Sequence, residues 1–138
     1  MDFDDAYANA AYIPGSEAYP GAWTQSAAVF RAENRCEIDV AYGETARQKV
    51  DFFYPSQPAK GLVVFVHGGY WLRFDKSFWS HLAAGPLSQG WAVAMPSYAL
   101  CPDVSITEIG LQIAEAIAFA AARVDGPIRL VGHSAGGH

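Results

Sequence analysis

Three short, mostly apolar runs constrain the fold of this 138-residue chain more than any other feature. They occupy residues 62–66 (LVVFV), 91–95 (WAVAM) and 128–131 (IRLV), and each is entered from a glycine or a Gly-Pro pair. Runs of this length without regular polar alternation are typical of strands covered on both faces, as in a parallel sheet. Helical segments separate them and can supply the crossover connections that parallel strands require. The order strand, helix, strand, helix, strand therefore predicts an α/β fold.

The stronger of the two intervening helices is predicted over residues 105–124. Ser105 and Glu108 fit a capping box at its start, and Arg123 lies in its last turn, where the helix dipole favours a cation. One apolar stripe follows helical spacing and contains Ile106, Ile109, Ile113, Ala116, Ile117, Ala120 and Val124. The weaker helix is predicted over residues 78–87, ending near Gly85-Pro86.

The segment before these runs divides into a leader and a strand pair. Residues 1–34 form an aromatic-rich leader, in which Trp23, Ala27 and Phe30 share one face of a helix predicted over residues 23–31. Residues 36–42 and 48–54 alternate apolar and polar side chains, which predicts an antiparallel pair of half-exposed strands. We therefore expect one domain over residues 1–138, with the sheet core in residues 35–138.

Composition excludes several classes of partner. Hydrophobic residues make up 51% and charged residues 17% of the chain, which is typical of a folded globular protein. The net charge is −5 and the basic residues are scattered, so we expect no nucleic-acid partner. The acidic N-terminus does not resemble a signal peptide, and residues 106–124 are too polar to cross a bilayer, so we expect a cytoplasmic protein without a membrane partner. Cys36 and Cys101 match no metal-ligand spacing, and we expect buried free thiols and no metal site.

The third apolar run leads directly into GHSAG at residues 132–136, which fits the pattern G-x-S-x-G. This pattern forms a sharp strand-to-helix turn that lifts a serine hydroxyl above a parallel sheet. Gly132 and Gly136 flank the serine because side chains would collide in so tight a turn. The interpretation makes Ser134 a nucleophile and the Ala135 amide one donor to a developing oxyanion. The alternative is a glycine-rich turn that only packs a strand against a helix.

A second motif, HGGYW at residues 67–71, follows the first apolar run. Such a loop can direct backbone amides at an acyl oxygen that gains charge, and we expect Gly69 and Tyr70 to supply these donors opposite Ala135. Gly68 lets the main chain approach the substrate, and His67 is expected to brace the loop. The alternative is a plain βα turn, which explains the two glycines but not the His and Trp beside them.

The pair of motifs resembles the α/β-hydrolase superfamily, and within it the esterases and kynurenine formamidases that carry HGGxW. The intervening PSYALCP at residues 96–102 also resembles the segment after the fourth strand of those enzymes, and the resemblance runs from about Cys36 to the last residue. It implies hydrolysis of a small-molecule amide or ester through an acyl-serine intermediate, with no cofactor. HGGYW favours an arylformamidase acting on N-formyl-kynurenine, and a general carboxylesterase acting on small aryl esters stays an alternative. Tyr70 and Trp71 would wall an aromatic pocket, although packing of Trp71 over the sheet explains it equally well.

The expected catalytic triad is incomplete in these 138 residues. In this turn's usual chain order the acid and the histidine base follow the serine, and only residues 135–138 do so here. We do not expect His138 to be the base, because it would lie on a helix behind the elbow. Other candidates fit structural roles better: His67 and His133 in the motifs, His81 on a solvated helix face, and Asp75 and Asp103 at loop or cap positions.

Loss of base and acid costs a serine hydrolase about a millionfold in turnover, so we expect the 138-residue chain alone to be close to inactive. We therefore expect an α/β-hydrolase fold truncated after the nucleophile elbow, as a portion of a longer polypeptide or as a truncated gene product. A non-catalytic remnant is the competing interpretation. The leader is compatible with capping the site and with pairing two subunits in a homodimer, and both alternatives stay open.

Overall fold

The computed structural model describes residues 2–138, so Met1, the first residue of the predicted leader, lies outside it. One five-stranded sheet has the order β1-β2-β4-β3-β5. β1 pairs antiparallel with β2, β2 pairs antiparallel with β4, and β3 lies parallel to both β4 and β5. The strands are β1 Cys36–Ala41, β2 Lys49–Phe53, β3 Leu62–Val66, β4 Ala92–Pro96 and β5 Ile128–Gly132. The predicted antiparallel pair leading into a parallel sheet is confirmed.

Helices connect these strands and precede them. The α-helices are α1 Phe3–Ala6, α2 Tyr19–Glu33, α3 Ala84–Ser88 and α4 Ile106–Ala121. Short 3₁₀ segments lie at Asn9–Tyr12, Ser16–Ala18, Lys76–Phe78, Ser80–Ala83 and Ser134–Gly137. The predicted capping box at the start of α4 is confirmed, since the Ser105 side chain accepts from the Glu108 N–H and the Glu108 carboxylate accepts from the Ser105 N–H.

Two apolar layers cover the central strands. On one face α4 contributes Ile109 and Ala120 to a core that contains Val64 and Phe52. On the other face Trp23 and Phe30 of α2 pack with Phe53, Phe65 and Trp79. Residues of β3 alternate between the two layers, which explains why the run LVVFV contains no polar position.

Three details differ from the sequence-based expectation. β2 is buried from Val50 to Phe53, so the prediction of a half-exposed strand over residues 48–54 is wrong, because the sheet continues past it to β4 and both apolar layers cover it. β5 is an edge strand among residues 2–138, and all five of its residues are exposed, so this run is not covered on both faces within the described part of the chain. The predicted helix over residues 78–87 is two 3₁₀ segments followed by the short α3. Its predicted end at Gly85-Pro86 is also wrong, because Pro86 lies in the first turn of α3, where no backbone N–H is needed.

The carboxyl ends of the parallel strands bring three connections to one edge of the sheet. These are the loop after β3, which we call the HGG loop (residues 67–75), the segment after β4 (97–104) and the segment after β5 (133–138). In open parallel sheets this edge is where ligands bind. The two sequence motifs therefore lie on the same edge.

Cys36 and Cys101 are free, but both are half-exposed, so the expectation of full burial is wrong. Over residues 2–138, no helix has the length and apolarity needed to span a membrane.

Candidate active site

The GHSAG segment forms a tight turn at the carboxyl end of β5. Ser134 adopts a φ of +53°, a conformation that costs a non-glycine residue energy and is therefore found mainly where structure enforces it. A Cβ added to Gly132 would collide with the Gly136 carbonyl, and one added to Gly136 would collide with the Val66 carbonyl of β3. The two glycines are thus required by close backbone approach. Ser134 itself is exposed, so its hydroxyl is not packed into the interior.

The HGG loop lies directly against this turn. A Cβ added to Gly68 would stand 2.8 Å from the Ser134 Cβ and 2.6 Å from the His133 carbonyl oxygen. The His133 N–H donates to the Val66 carbonyl at 3.0 Å, which joins the turn to the end of β3. The structure therefore brings together the two motifs that lie more than sixty residues apart in sequence.

Backbone amides of the HGG loop are available as donors. Gly69 has φ +124° and Tyr70 has φ +56°, so the chain makes a left-handed bend at the two positions predicted to supply oxyanion donors. The Gly69 carbonyl accepts from the N–H groups of Leu72 and Arg73, whereas in the described part of the chain the N–H groups of Gly69 and Tyr70 donate to no carbonyl. Ala135 lies in the first turn of the 3₁₀ segment Ser134–Gly137, and backbone N–H groups in a first turn have no partner within the helix.

His67 is buried beneath this bend and is held by Tyr98. The two rings stack with centroids 4.4 Å apart, and the Tyr98 hydroxyl donates to the His67 carbonyl at 2.5 Å. The His67 Nδ1 lies 2.7 Å from the Gly68 carbonyl oxygen, which assigns the proton to Nδ1. Burial lowers the pKa of His67 to about 4, so the ring is neutral at pH 7. This geometry places His67 as a support of the loop.

Two further contacts attach the HGG loop to its surroundings. The Cys101 N–H donates to the Trp71 carbonyl at 2.8 Å. The Arg47 guanidinium, from the β1–β2 connection, donates from Nε to the Tyr98 carbonyl and from Nη2 to the Phe74 carbonyl, each at 2.6 Å. The loop is therefore bonded to elements on both sides of it in sequence.

The end of the loop leads into a buried ion cluster. The Lys76 Nζ lies 2.6 Å from Asp39 Oδ1 and 2.7 Å from Asp51 Oδ1. Lys76 and Asp51 are buried, while the Asp39 side chain is 68% exposed. Burial raises the pKa of Asp51, and the hydrogen bond from Lys76 opposes that rise.

Tyr98, Arg47, Lys76 and Asp51 were not found by the sequence reasoning. Tyr98 lies in the PSYALCP segment that carried the resemblance, so that segment was the signal for it. The other three are single charged residues in loops or on a strand. No spacing rule distinguishes them from solvated surface charges.

The remaining titratable candidates lie in structural positions. Asp75 caps the 3₁₀ segment by accepting from the Ser77 N–H at 2.7 Å, and Asp103 lies in an exposed turn, as expected. His133 packs against Trp79 with centroids 5.3 Å apart. The expectation of a solvated His81 is wrong: its Nδ1 is buried and has no partner among residues 2–138, and burial lowers the pKa of the ring.

His138, Tyr70 and Trp71 make contacts that the sequence did not specify. The His138 ring contacts Trp71 edge-on with centroids 5.4 Å apart, and it follows the 3₁₀ turn Ser134–Gly137. The Tyr70 hydroxyl donates to the Tyr7 carbonyl at 2.7 Å, which ties the leader to the HGG loop. Both aromatic side chains are half-buried.

Comparison with known proteins shows which family the chain belongs to. No protein-family model matches the sequence. Kynurenine formamidase of Drosophila melanogaster is 34% identical over 103 residues, which covers 70% of this chain and 34% of that protein. A crystal structure of a proposed thioesterase from Silicibacter sp. TM1040 has a TM-score of 0.97 and 58% identity, and it covers the whole of this chain. The chain belongs to the α/β-hydrolase superfamily, among relatives of the esterase and formamidase kind.

A further similar structure is an esterase, and the chain covers only part of each relative. Esterase B from Lactobacillus rhamnosis, in a structure with a tributyrin phosphonate, has a TM-score of 0.67 and 27% identity over 88% of this chain. This α/β-hydrolase chain spans about a third of the Drosophila relative and 53% of the Silicibacter structure.

Proposed function

We propose that the protein containing this chain is a serine hydrolase of a small amide or ester, most closely an arylformamidase. The observation that carries the proposal is the contact between the two motifs, where Gly68 lies against Ser134 and the N–H groups of Gly69 and Tyr70 have no carbonyl partner within residues 2–138. An exposed serine at a strained turn beside unbonded amides is the arrangement that acyl transfer requires.

In the proposed reaction the Ser134 hydroxyl attacks the carbonyl carbon while its proton passes to a base. The carbonyl electron pair moves to oxygen, where the Gly69, Tyr70 and Ala135 amides stabilise the negative charge. The intermediate collapses to an acyl-serine as the C–N or C–O bond breaks, and the leaving group takes the proton. Water then hydrolyses the acyl-serine. We expect the base and its orienting acid from sequence after His138, because in this turn's usual chain order both follow the serine.

The formamidase assignment is supported by the curated relatives named kynurenine formamidase and by Trp71, whose ring contacts His138 just after the Ser134 turn. An N-formyl group is the smallest acyl group, so it makes few demands on space at the serine. The aromatic leaving group would then contact Trp71. The second candidate, a carboxylesterase, is supported by the esterase B structure.

The full-length gene product tests this proposal. We expect a fluorophosphonate probe to label the wild-type protein and to leave Ser134→Ala unlabelled, with hydrolysis of N-formyl-kynurenine lost in the same variant. Higher kcat/KM on N-formyl-kynurenine than on p-nitrophenyl acetate supports the formamidase, and the reverse ranking supports the esterase. Unimpaired hydrolysis by Ser134→Ala contradicts both.

A further inference from the structure

The strongest structural feature that the proposed reaction does not use is the buried ion cluster at Lys76. Its Nζ bridges Asp39 of β1 and Asp51 of β2, and Lys76 and Asp51 are both almost fully buried. β1 bulges between Glu37 and Val40, which gives Asp39 a φ of +59° and allows its N–H to donate to Asp51 Oδ1 at 2.8 Å. Bulges are frequent beside active sites, where they redirect a side chain. The strand is therefore distorted at the point where it receives the lysine.

Lys76 is also the first residue after the HGG loop. Its backbone N–H donates to the Ser97 Oγ at 3.0 Å, and Ser97 directly follows β4. Arg31 of α2 donates to the Ser77 carbonyl at 2.8 Å, one residue further on. The downstream end of the loop is thus fixed to β1, β2, α2 and the end of β4, while its upstream end continues β3. Between these ends lie Gly69 and Tyr70 in left-handed conformations.

Stability alone does not account for a charged pair at this position. Taking a lysine and an aspartate out of water costs several kcal/mol per ion, and neutral replacements of similar shape are often neutral or stabilising. A buried pair with short contacts does fix geometry, because either charge loses its partner if the loop moves. Left-handed bends at non-glycine residues persist only where the surroundings enforce them.

We propose that Lys76, paired with Asp51, is a positioning residue that holds the HGG loop in the conformation presenting the Gly69 and Tyr70 amides to Ser134. The proposal rests on the proposed serine hydrolase function for its catalytic consequence. The holding of the loop is a separate, measurable property. The pair acts through the loop backbone and touches no reacting atom.

The test is the double variant Lys76→Met/Asp51→Asn in the full-length gene product. It removes both buried charges together and keeps an oxygen at position 51 for the Asp39 N–H. The matched control is Arg123→Met/Glu37→Gln, which removes the partly exposed ion pair of 2.6 Å between Glu37 of β1 and Arg123, two residues after the end of α4. Ser97→Ala serves as a milder second variant, because it deletes only the acceptor of the Lys76 N–H.

Two readouts separate the parts of the proposal. We expect amide hydrogen exchange in residues 67–75 to become at least about tenfold faster in Lys76→Met/Asp51→Asn, to rise less in Ser97→Ala, and to stay unchanged in the control. We expect kcat to fall about tenfold to a hundredfold while KM changes less than about twofold, because oxyanion donors act mainly in the transition state.

Each outcome decides one point. Loop exchange within about twofold of the wild type in both the double variant and Ser97→Ala overturns the proposal, whatever the activity. Faster exchange with unchanged kcat overturns the catalytic consequence. A wild-type protein that neither hydrolyses substrate nor is labelled at Ser134 overturns the proposed function alone. In that case, faster amide exchange confined to residues 67–75 in the variants still supports Lys76 as the residue that holds the loop.

Discussion

At the scale of single residues, Gly68 is the position where the two motifs touch. A methyl group there would lie within 2.8 Å of the Ser134 Cβ and 2.6 Å of the His133 carbonyl, and neither atom belongs to a flexible side chain. We expect Gly68→Ala to destabilise the fold by about 2 kcal/mol through overpacking. We also expect it to lower kcat/KM at least about tenfold by displacing the serine.

The matched control for Gly68→Ala is Gly110→Ala. Gly110 lies within α4 and has nothing within 4 Å of an added Cβ, so alanine should stabilise the helix by up to about 1 kcal/mol. Urea denaturation measures both changes, and hydrolysis by the full-length gene product measures the activity. Equal stability of the two variants contradicts the close contact.

His67 makes stability depend on pH. Its pKa is about 4 in the fold and about 6.5 when unfolded, so between these values only the unfolded chain binds the proton. Stability from this group is complete above pH 6.5 and falls as the pH drops towards 4, by about 3 kcal/mol in all. We expect His67→Gln to flatten the loss of unfolding free energy between pH 7 and pH 4.5, and His81→Gln to flatten it less. A slope that His67→Gln leaves unchanged contradicts the burial of a neutral His67.

Sequence reasoning found those residues whose role follows from a local pattern. Ser134, Gly132 and Gly136 were predicted because a turn of fixed length dictates where glycine is needed. In the structure, backbone atoms occupy the space that side chains at Gly132 and Gly136 would need. Lys76 and Asp51 could not be found in this way, because their contact depends on a bulge in β1 and on strand register. Neither leaves a periodic signal in sequence.

At the scale of elements, α4 is the best predicted segment because its start carries a specific chemical signal. The Ser105 side chain accepts from the Glu108 N–H at 3.2 Å, and the Glu108 carboxylate accepts from the Ser105 N–H at 2.7 Å. We expect Ser105→Ala to lower the unfolding free energy by about 1 kcal/mol. Thr107→Ala, two residues along the same exposed turn, should leave it unchanged or raise it by up to about 0.7 kcal/mol, because alanine has the higher helix propensity. Chemical denaturation compares the two, and equal losses argue against the cap.

The segment between β3 and β4 was predicted least well, because it lacks a local capping signal like that of α4. Residues 78–87 have no N-cap signal of the capping-box kind, and their structure is set by contacts of Trp79 with Trp23 and Phe74. Tertiary packing of aromatic rings therefore overrides weak local propensity. Gly85-Pro86, predicted to end a helix, lies in the first turn of α3, where proline is tolerated.

At the scale of the whole molecule, the fold class followed from the order of elements, whereas the sheet order β1-β2-β4-β3-β5 did not. Parallel strands joined by helices restrict the topology through the right-handed crossover rule. They do not specify which strand lies at the edge. The placement of β4 between β2 and β3 is what brings Ser97 beside Lys76 and Tyr98 beside His67. The contacts that support the HGG loop thus depend on topology.

The exposed β5 edge carries the last prediction. Leu130 is 61% exposed and Val131 is 45% exposed, and β5 pairs on one side only among residues 2–138. An unpaired apolar edge favours pairing with another strand, so we expect a polypeptide of these 138 residues to associate with increasing concentration. Leu130→Lys should weaken that association, since charged side chains oppose pairing at an edge. Val29→Lys, at a 51% exposed valine of α2, is the matched control and should not. Sedimentation equilibrium measures both, and a monomer at every concentration means that the β5 edge does not pair.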